Sequence, residues 1–447
     1  MARAAFTFPQ SFLFGTATAG YQVEGDSRNT DFWEWEQGAG HIAGGARSGP
    51  ACDWWHGQRW REDFDRAAAD GHNALRLSVE WSRIEPEPGR WDESALDHYR
   101  QMVLGLRQRG LTPLVTLHHF VNPLWAVSDG KHLWEDGSGI EAFARYVRRV
   151  VEVLSPHVSL WATINEPNVY FYNGWMTGDF PPGRPPSIGR ALQVARHLLL
   201  AHAAAYHVIH EIQPEALVGL PIHFRPTLPA HPGFVLDEWV ARTQFELFSS
   251  LFNDAIRTGR LRRPFAPALA VPEAKGTLDY FGLNYYTTDL VRFDPTSAAE
   301  LFGRRSFPAG AEVDDAGWYA SYPSGLFRAL SWAHRLGLPI YMTENGIGDA
   351  EDRMRPRYLI EHLRELWRGV NFNWDIRGYF HWSLVDNFEW ERGWTHRFGL
   401  YALDNVSQVR TPRRSAELYA AICRNHVLDS DLVAQFAPEL LDRLFPG

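Results

Sequence analysis

A chain of 447 residues with 45% hydrophobic and 22% charged side chains has the make-up of a water-soluble globule able to bury a large core. Its net charge of −9, with no basic block, excludes a nucleic-acid face built on positive charge. No apolar run approaches the ~18 residues of a membrane span, and residues 1–9 hold no apolar stretch of the signal-peptide kind, so the expected setting is the cytoplasm.

Cys52 and Cys423 stand far apart and read as two free thiols, not a disulfide framework. No repeat, low-complexity block or linker divides the chain, so residues 1–447 are expected to form one domain. Short apolar runs predict strands near residues 13–18, 73–78, 112–117, 159–164, 217–222, 278–284, 338–343 and 376–382. Helical periodicity fills the gaps. It covers residues 59–69 and 93–109, closed by Gly71 and Gly110, each suited to a left-handed position just past a helix end. It resumes over residues 140–154, 187–212, 236–258, 324–336, 356–368 and 414–423. Eight strand–helix beats predict an α/β fold, a single (β/α)8 TIM barrel with extended loops after its strands. The longest irregular stretch covers residues 293–323, and loops of that length in a compact domain often bind something. Residues 427–447 have apolar spacing for one more helix, packed on the barrel or offered to a partner.

In such a barrel the chemistry belongs to the C-terminal ends of the strands. The polar clusters of this chain lie there. The first strand leads into Gly20-Tyr21-Gln22, the second carries Arg76, and the third runs into His118-His119-Phe120-Val121. The fourth ends in Asn165-Glu166-Pro167, the sixth in Asn284-Tyr285-Tyr286 and the seventh in Thr343-Glu344-Asn345-Gly346. The eighth gives His381-Trp382, with Glu389-Trp390 close behind. Either Glu166 or Glu344 alone reads as a solvated loop carboxylate or a helix cap. Together, at the mouths of two strands, they are what acetal hydrolysis needs. One carboxyl protonates the leaving oxygen while the other attacks the anomeric carbon or activates water.

Thr163-Ile164-Asn165-Glu166-Pro167 and Met342-Thr343-Glu344-Asn345-Gly346, in this order and about 180 residues apart, resemble the family 1 glycoside hydrolases, the retaining β-glucosidase group. The resemblance runs over nearly the whole chain. It implies that Glu344 is the nucleophile, kept ionised by Arg76 and Tyr286, and that Glu166 is the general acid/base. It implies catalytic support from Asn284, and from Asn165 a bond to the sugar 2-hydroxyl. Gln22, His119, Glu389 and Trp390 would read the glycone hydroxyls over Trp382 as stacking platform. Phe398 would also contact substrate, and Trp318 would line the leaving-group side. Only one of two adjacent strand residues can face the site, and the motif favours His119 over His118. Some of the 19 Trp would serve as rings for pyranose faces, the rest as core.

The implied substrates are small β-glycosides or oligosaccharides with a terminal β-D-glucosyl, and also β-D-galactosyl or fucosyl, unit. Glu389 would repel a phosphate, which implies unphosphorylated sugars. No metal-ligand triad and no phosphate-cradling glycine loop is present in the sequence, so neither metal nor cofactor is expected. A transglycosidase on the same scaffold, or a non-catalytic sugar-binding barrel, are the other readings. Phe120, Val121 and Asn168 stand where the family commonly has Trp, an acid and Trp; these departures bear on substrate preference. Nothing in the sequence specifies an oligomeric state.

Overall fold

The computed structural model describes residues 4–127, 130, 132–264, 266–297 and 300–446. Eight parallel strands close into a barrel: β1 (Leu13–Ala17), β2 (Ala74–Ser78), β3 (Thr112–His118), β4 (Leu160–Ile164), β5 (Leu217–His223), β6 (Tyr280–Asn284), β7 (Ile340–Asn345) and β8 (Ile376–Trp382). Each pairs with its neighbour in sequence, and β8 closes on β1 through Gly378–Leu13 to Trp382–Ala17. These are the eight predicted strands, shifted by a few residues at most. They are rich in Leu, Val and Ile because both faces of a parallel barrel strand are covered, inside by packed side chains and outside by helices.

The helices are amphipathic. In α2 (Glu93–Gln108), which follows α1 (Trp60–Ala69), Leu96, Tyr99, Met102, Val103 and Leu106 recur at three- and four-residue spacing and are buried. Asp92 caps α2 by accepting from the Ser94 and Ala95 amides at 2.9 and 3.1 Å, a contact worth about 1 kcal/mol. Gly71 and Gly110 follow α1 and α2 with φ of 81° and 74°, as their sequence positions predict.

Three expectations change. The helix expected over 236–258 is two helices, Val235–Phe248 and Leu251–Thr258: the Ser249 amide still closes on the Phe245 carbonyl, the Ser250 amide turns back to that same carbonyl, and the Ser249 hydroxyl bonds the backbone of Arg225. The stretch 293–323 is not wholly irregular: Gly303–Ser306 pairs antiparallel with Asp289–Phe293, while residues 298 and 299 lie outside the described residues. The tail is more than one helix. Val427–Asp429 forms a strand against Ala5–Thr7, then the short helices Ser430–Phe436 and Leu441–Leu444 follow; residue 447 lies outside the described residues. Cys52 and Cys423 are buried free thiols. Among the described residues, no helix is long and apolar enough to cross a membrane.

Candidate active site

A cavity of about 350 Å³ opens at the C-terminal end of the barrel. Its wall includes His119, Asn165, Glu166, Tyr286, Trp318, Glu344, Trp382, Glu389, Trp390 and Phe398. The other three residues singled out from the sequence, Gln22, Arg76 and Asn284, stand one layer behind and bond to this wall.

Glu344 is delivered by β7. The register between β6 and β7 shifts between Leu283 and Asn284, which sets Asn284 opposite Glu344. Gly346 then turns the chain against β8: a Cβ there would stand 2.1 Å from the Trp382 carbonyl oxygen, so only glycine lets the two strand ends close. The Glu344 carboxylate accepts from both sides. Arg76 Nη1 lies 2.5 Å from Oε1 and the Tyr286 hydroxyl 2.6 Å from Oε2. Arg76 is 0% exposed, so the pair is a buried one and not a solvent-screened surface contact. Burial pushes the Glu344 carboxyl up to about 7, against the pull of the Arg76 charge and with the Glu166 charge adding to the rise.

Glu166 sits where β4 turns into the short helix Pro167–Tyr172, in a left-handed backbone conformation with φ 41°. That conformation is uncommon for a residue with a Cβ and is characteristic of constrained functional positions. Its Oε1 accepts from Asn284 Nδ2 at 2.8 Å, and His223 Nδ1 lies 3.6 Å away. Asn165 ties the two halves together. Its Oδ1 accepts from Arg76 Nη2 at 2.6 Å and from Asn284 Nδ2 at 3.2 Å, and its amide faces His119 Nε2 at 3.0 Å. Asn284 is oriented in turn by the Thr343 hydroxyl, which donates to its Oδ1 at 2.6 Å.

The opposite wall is built from the loop after β8. Gln22 Nε2 donates to Glu389 Oε2, Asn387 Oδ1 and the Phe388 carbonyl at 3.0, 3.0 and 2.8 Å, which fixes the amide and leaves its buried Oε1 without a partner among the described residues. Desolvation, reinforced by the Glu391 charge, pushes Glu389 up to about 8. His119 lies between Trp382 and Trp390 with ring centroids at 6.2 and 5.8 Å; burial lowers its basicity, so the ring is neutral. His118 points away and meets Asn122 Oδ1 at 3.1 Å among Trp134, Phe143 and Tyr170.

Trp318 stands at the mouth, 42% exposed, with the Arg392 guanidinium 3.1 Å above its ring. Of the three departures, Phe120 lines the cavity and packs edge-on to Trp390 at 5.1 Å, whereas Val121 is buried outside the cavity wall. Asn168 is a buried clamp on the backbone of β5, donating to the His223 carbonyl at 2.9 Å and accepting from the His223 amide at 3.3 Å.

Sequence reasoning passed over several wall residues: His223, Arg225, Arg305, Tyr319, Glu391 and Arg392. Three carried a signal. His223 is the last residue of β5, one position past the predicted strand, and strand ends are where barrel sites form. Glu391 and Arg392 directly follow the Glu389-Trp390 pair. Arg225 follows β5, whereas Arg305 lies in the short strand Gly303–Ser306, and tertiary folding brings both to the wall.

Residues 4–428 match the profile of glycosyl hydrolase family 1. A β-glucosidase of Agrobacterium sp. is 34% identical over 93% of this chain and 95% of its own length. Among solved structures, a β-glycosidase from Pyrococcus horikoshii superposes with a TM-score of 0.89 at 37% identity, covering 97% of this chain and 98% of its own. A Thermotoga maritima family 1 glycoside hydrolase, complexed with a cyclophellitol-analogue transition-state mimic, superposes at 0.88 with 30% identity over 95% and 99% of the two chains. The barrel, its carboxylate pair and the match along nearly its full length place this chain in glycosyl hydrolase family 1.

Proposed function

We propose that this protein is a retaining β-glycosidase that releases terminal non-reducing β-D-glucosyl units, and also β-D-galactosyl and fucosyl units, from small β-glycosides or oligosaccharides. The observation that carries the reading is the unequal environment of the two carboxyls. Glu344 receives a cation and a hydroxyl, whereas Glu166 receives one neutral amide. That division suits Glu344, held at both oxygens, to attack and leaves Glu166 for proton transfer.

In the first step Glu344 attacks C1 from below while Glu166 gives its proton to the leaving oxygen, and a covalent glycosyl-enzyme forms. Arg76 and the Tyr286 hydroxyl hold the attacking oxygens in place, so the reaction spends little on orienting them. In the second step Glu166, now a carboxylate, takes a proton from the water that attacks C1, and the β configuration is restored. Asn165, fixed by Arg76 and Asn284, presents its amide to the 2-hydroxyl. Gln22 and Glu389 clamp the far hydroxyls, His119 and Trp390 complete that wall, and Trp382 and Phe398 supply apolar surface. Trp318 covers the leaving group. The chain acts as one barrel domain over residues 1–447, and two free thiols fit a reducing cytoplasm.

The test is stereochemical. Proton NMR during hydrolysis of an aryl β-glucoside should show the β-anomer of glucose first, with the α-anomer growing in only as mutarotation proceeds. The α-anomer appearing first would overturn the retaining reading.

A further inference from the structure

Gln22, which donates to Glu389, rides on the five-residue helix Gly20–Glu24. A helix that short cannot hold itself together by its own turns. The residue before it, Ala19, has no side chain able to cap its first amides. The segment at the end of β2 supplies the missing acceptors. The Gly20 amide donates to Ser78 Oγ at 2.6 Å, and the Tyr21 amide donates to Glu80 Oε1 at 3.1 Å. Glu80 thus does for this helix what Asp92 does for α2, but from a different part of the chain.

Glu80 is buried, and so is Glu24 at the other end of the same helix. The two carboxyls crowd one point: a Cβ on Gly20 would stand 2.5 Å from Glu80 Oε1 and 3.0 Å from Glu24 Oε1. Among the described residues, the cation bonded to this pair is Arg83, and it goes to Glu24. Arg83 Nε donates to Glu24 Oε2 at 2.7 Å, while the Tyr99 hydroxyl donates to Oε1 at 2.8 Å. The Glu80 backbone amide donates to that same Tyr99 hydroxyl at 3.0 Å, so the two residues are tied through one phenol. Asp31, Tyr99 and Tyr146 face the pair from neighbouring helices and bring no positive charge. Two ionised carboxyls beside one guanidinium would leave a buried charge unbalanced, and a proton on Glu80 removes it. Burial, reinforced by the Glu24 charge, pushes the Glu80 carboxyl well above the usual carboxylate range.

We propose that Glu80 is a positioning residue for the glycone wall: as an uncharged carboxylic acid, left with its proton because Glu24 takes Arg83, it caps the helix of Gln22 and so holds the Gln22 amide against Glu389. The role of Gln22 in binding sugar rests on the glycosidase reading; the proton on Glu80 does not.

The test uses Glu80→Gln and Glu80→Met, each alone and combined with Gln22→Ala. Glutamine carries no charge and keeps a carbonyl for the Tyr21 amide; methionine keeps the length and offers no such acceptor. On an aryl β-glucoside at pH 7, Glu80→Gln should stay within about three-fold of wild type in kcat/KM, and Glu80→Met should lose about ten-fold or more. With Gln22→Ala already present, the methionine change should cost less than about three-fold, because its effect runs through Gln22. Infrared difference spectra of wild type against Glu80→Gln at pH 7, recorded without substrate, should show the carbonyl stretch of one protonated carboxylic acid in the wild type alone. A glutamine variant as impaired as the methionine one would overturn the proposal, and so would an equal methionine loss in both backgrounds, or a carboxylate band in place of the acid band. If Glu80→Met does not fold, the glutamine variant and the infrared band decide alone. A wild type inert on aryl β-glucoside and β-galactoside, with the acid band present, would count against the glycosidase reading and leave the protonated Glu80 standing.

Discussion

One guanidinium serves two residues of the site: Arg76 donates to Glu344 through Nη1 at 2.5 Å and, through Nη2 at 2.6 Å, to Asn165, the neighbour of Glu166 in the chain. The nucleophile side and the acid side of the proposed reaction therefore share a rigid planar fork, which a lysine could not reproduce. Arg76 also bonds Thr116 Oγ1 at 3.0 Å through Nε, so the fork is locked from behind by β3.

Arg76→Met should be severely impaired. Removing one partner of a buried ion pair typically costs about 3–5 kcal/mol of stability, because the other charge is left uncompensated. Glu344 would lose the strongest influence holding its carboxyl down, so the acidic limb of kcat/KM should move to higher pH. The checks are thermal unfolding and a pH–rate profile of the residual activity. A variant with wild-type stability and an unmoved acidic limb would contradict the buried-pair account.

Glu389 gives a prediction that the sequence alone would state differently. Charge repulsion against a 6-phosphate requires an ionised Glu389, yet desolvation holds this carboxyl up to about 8. Discrimination between an aryl β-glucoside and its 6-phosphate should therefore widen from pH 7 to pH 9, as the carboxyl ionises. Measuring both kcat/KM values across that range tests it; a ratio that stays flat would contradict the role of the charge.

The same shift has a consequence for stability. A carboxyl raised on folding contributes its linked stability fully below the usual ~4.5 and loses it as pH climbs through the folded value. Glu344 at about 7 and Glu389 at about 8 should thus make the protein less stable between about pH 5 and pH 9. Glu389→Gln should reduce that loss by at least ~1.4 kcal/mol, the equivalent of one pKa unit. Urea unfolding at pH 6 and pH 9 decides it, and identical pH dependence in wild type and variant would refute it.

Glu166→Gln separates the two carboxyl roles. A dinitrophenolate leaves without a proton, whereas a sugar alcohol needs one, so glycosylation should slow by about 10²–10⁴-fold for cellobiose and far less for the activated aryl glycoside. The second step would still lack its base, and a burst of phenol should appear as the glycosyl-enzyme accumulates. Equal slowing of both substrates with no burst would remove Glu166 from the acid/base role.

The barrel was legible because its strands are continuous apolar runs separated by amphipathic segments, and those periods survive folding. The carboxylate pair was legible because strand ends and flanking motifs coincide. Strand alternation lets only one of His118 and His119 face the site and the family motif favours His119; the structure places His119 in the cavity wall and His118 against Asn122. What escaped was set by tertiary contacts. The Ser249 hydroxyl at the join between the two helices bonds the distant Arg225 backbone, and Arg392 over Trp318 depends on two loops meeting at the mouth. The raised Glu389 depends on how its neighbours exclude water, a property no local pattern records.

The central claim is a covalent bond to Glu344, and the most direct measurement is to trap it. A 2-deoxy-2-fluoro-β-glucoside with dinitrophenolate as leaving group destabilises both transition states but leaves the first step assisted by its leaving group, so the intermediate should persist. Intact-protein mass spectrometry should then show one added fluoroglucosyl group per chain, and peptide mapping should place it on Glu344. An adduct on Glu166 or another residue, or release of dinitrophenolate with no adduct in a protein that hydrolyses the parent glucoside, would contradict the account.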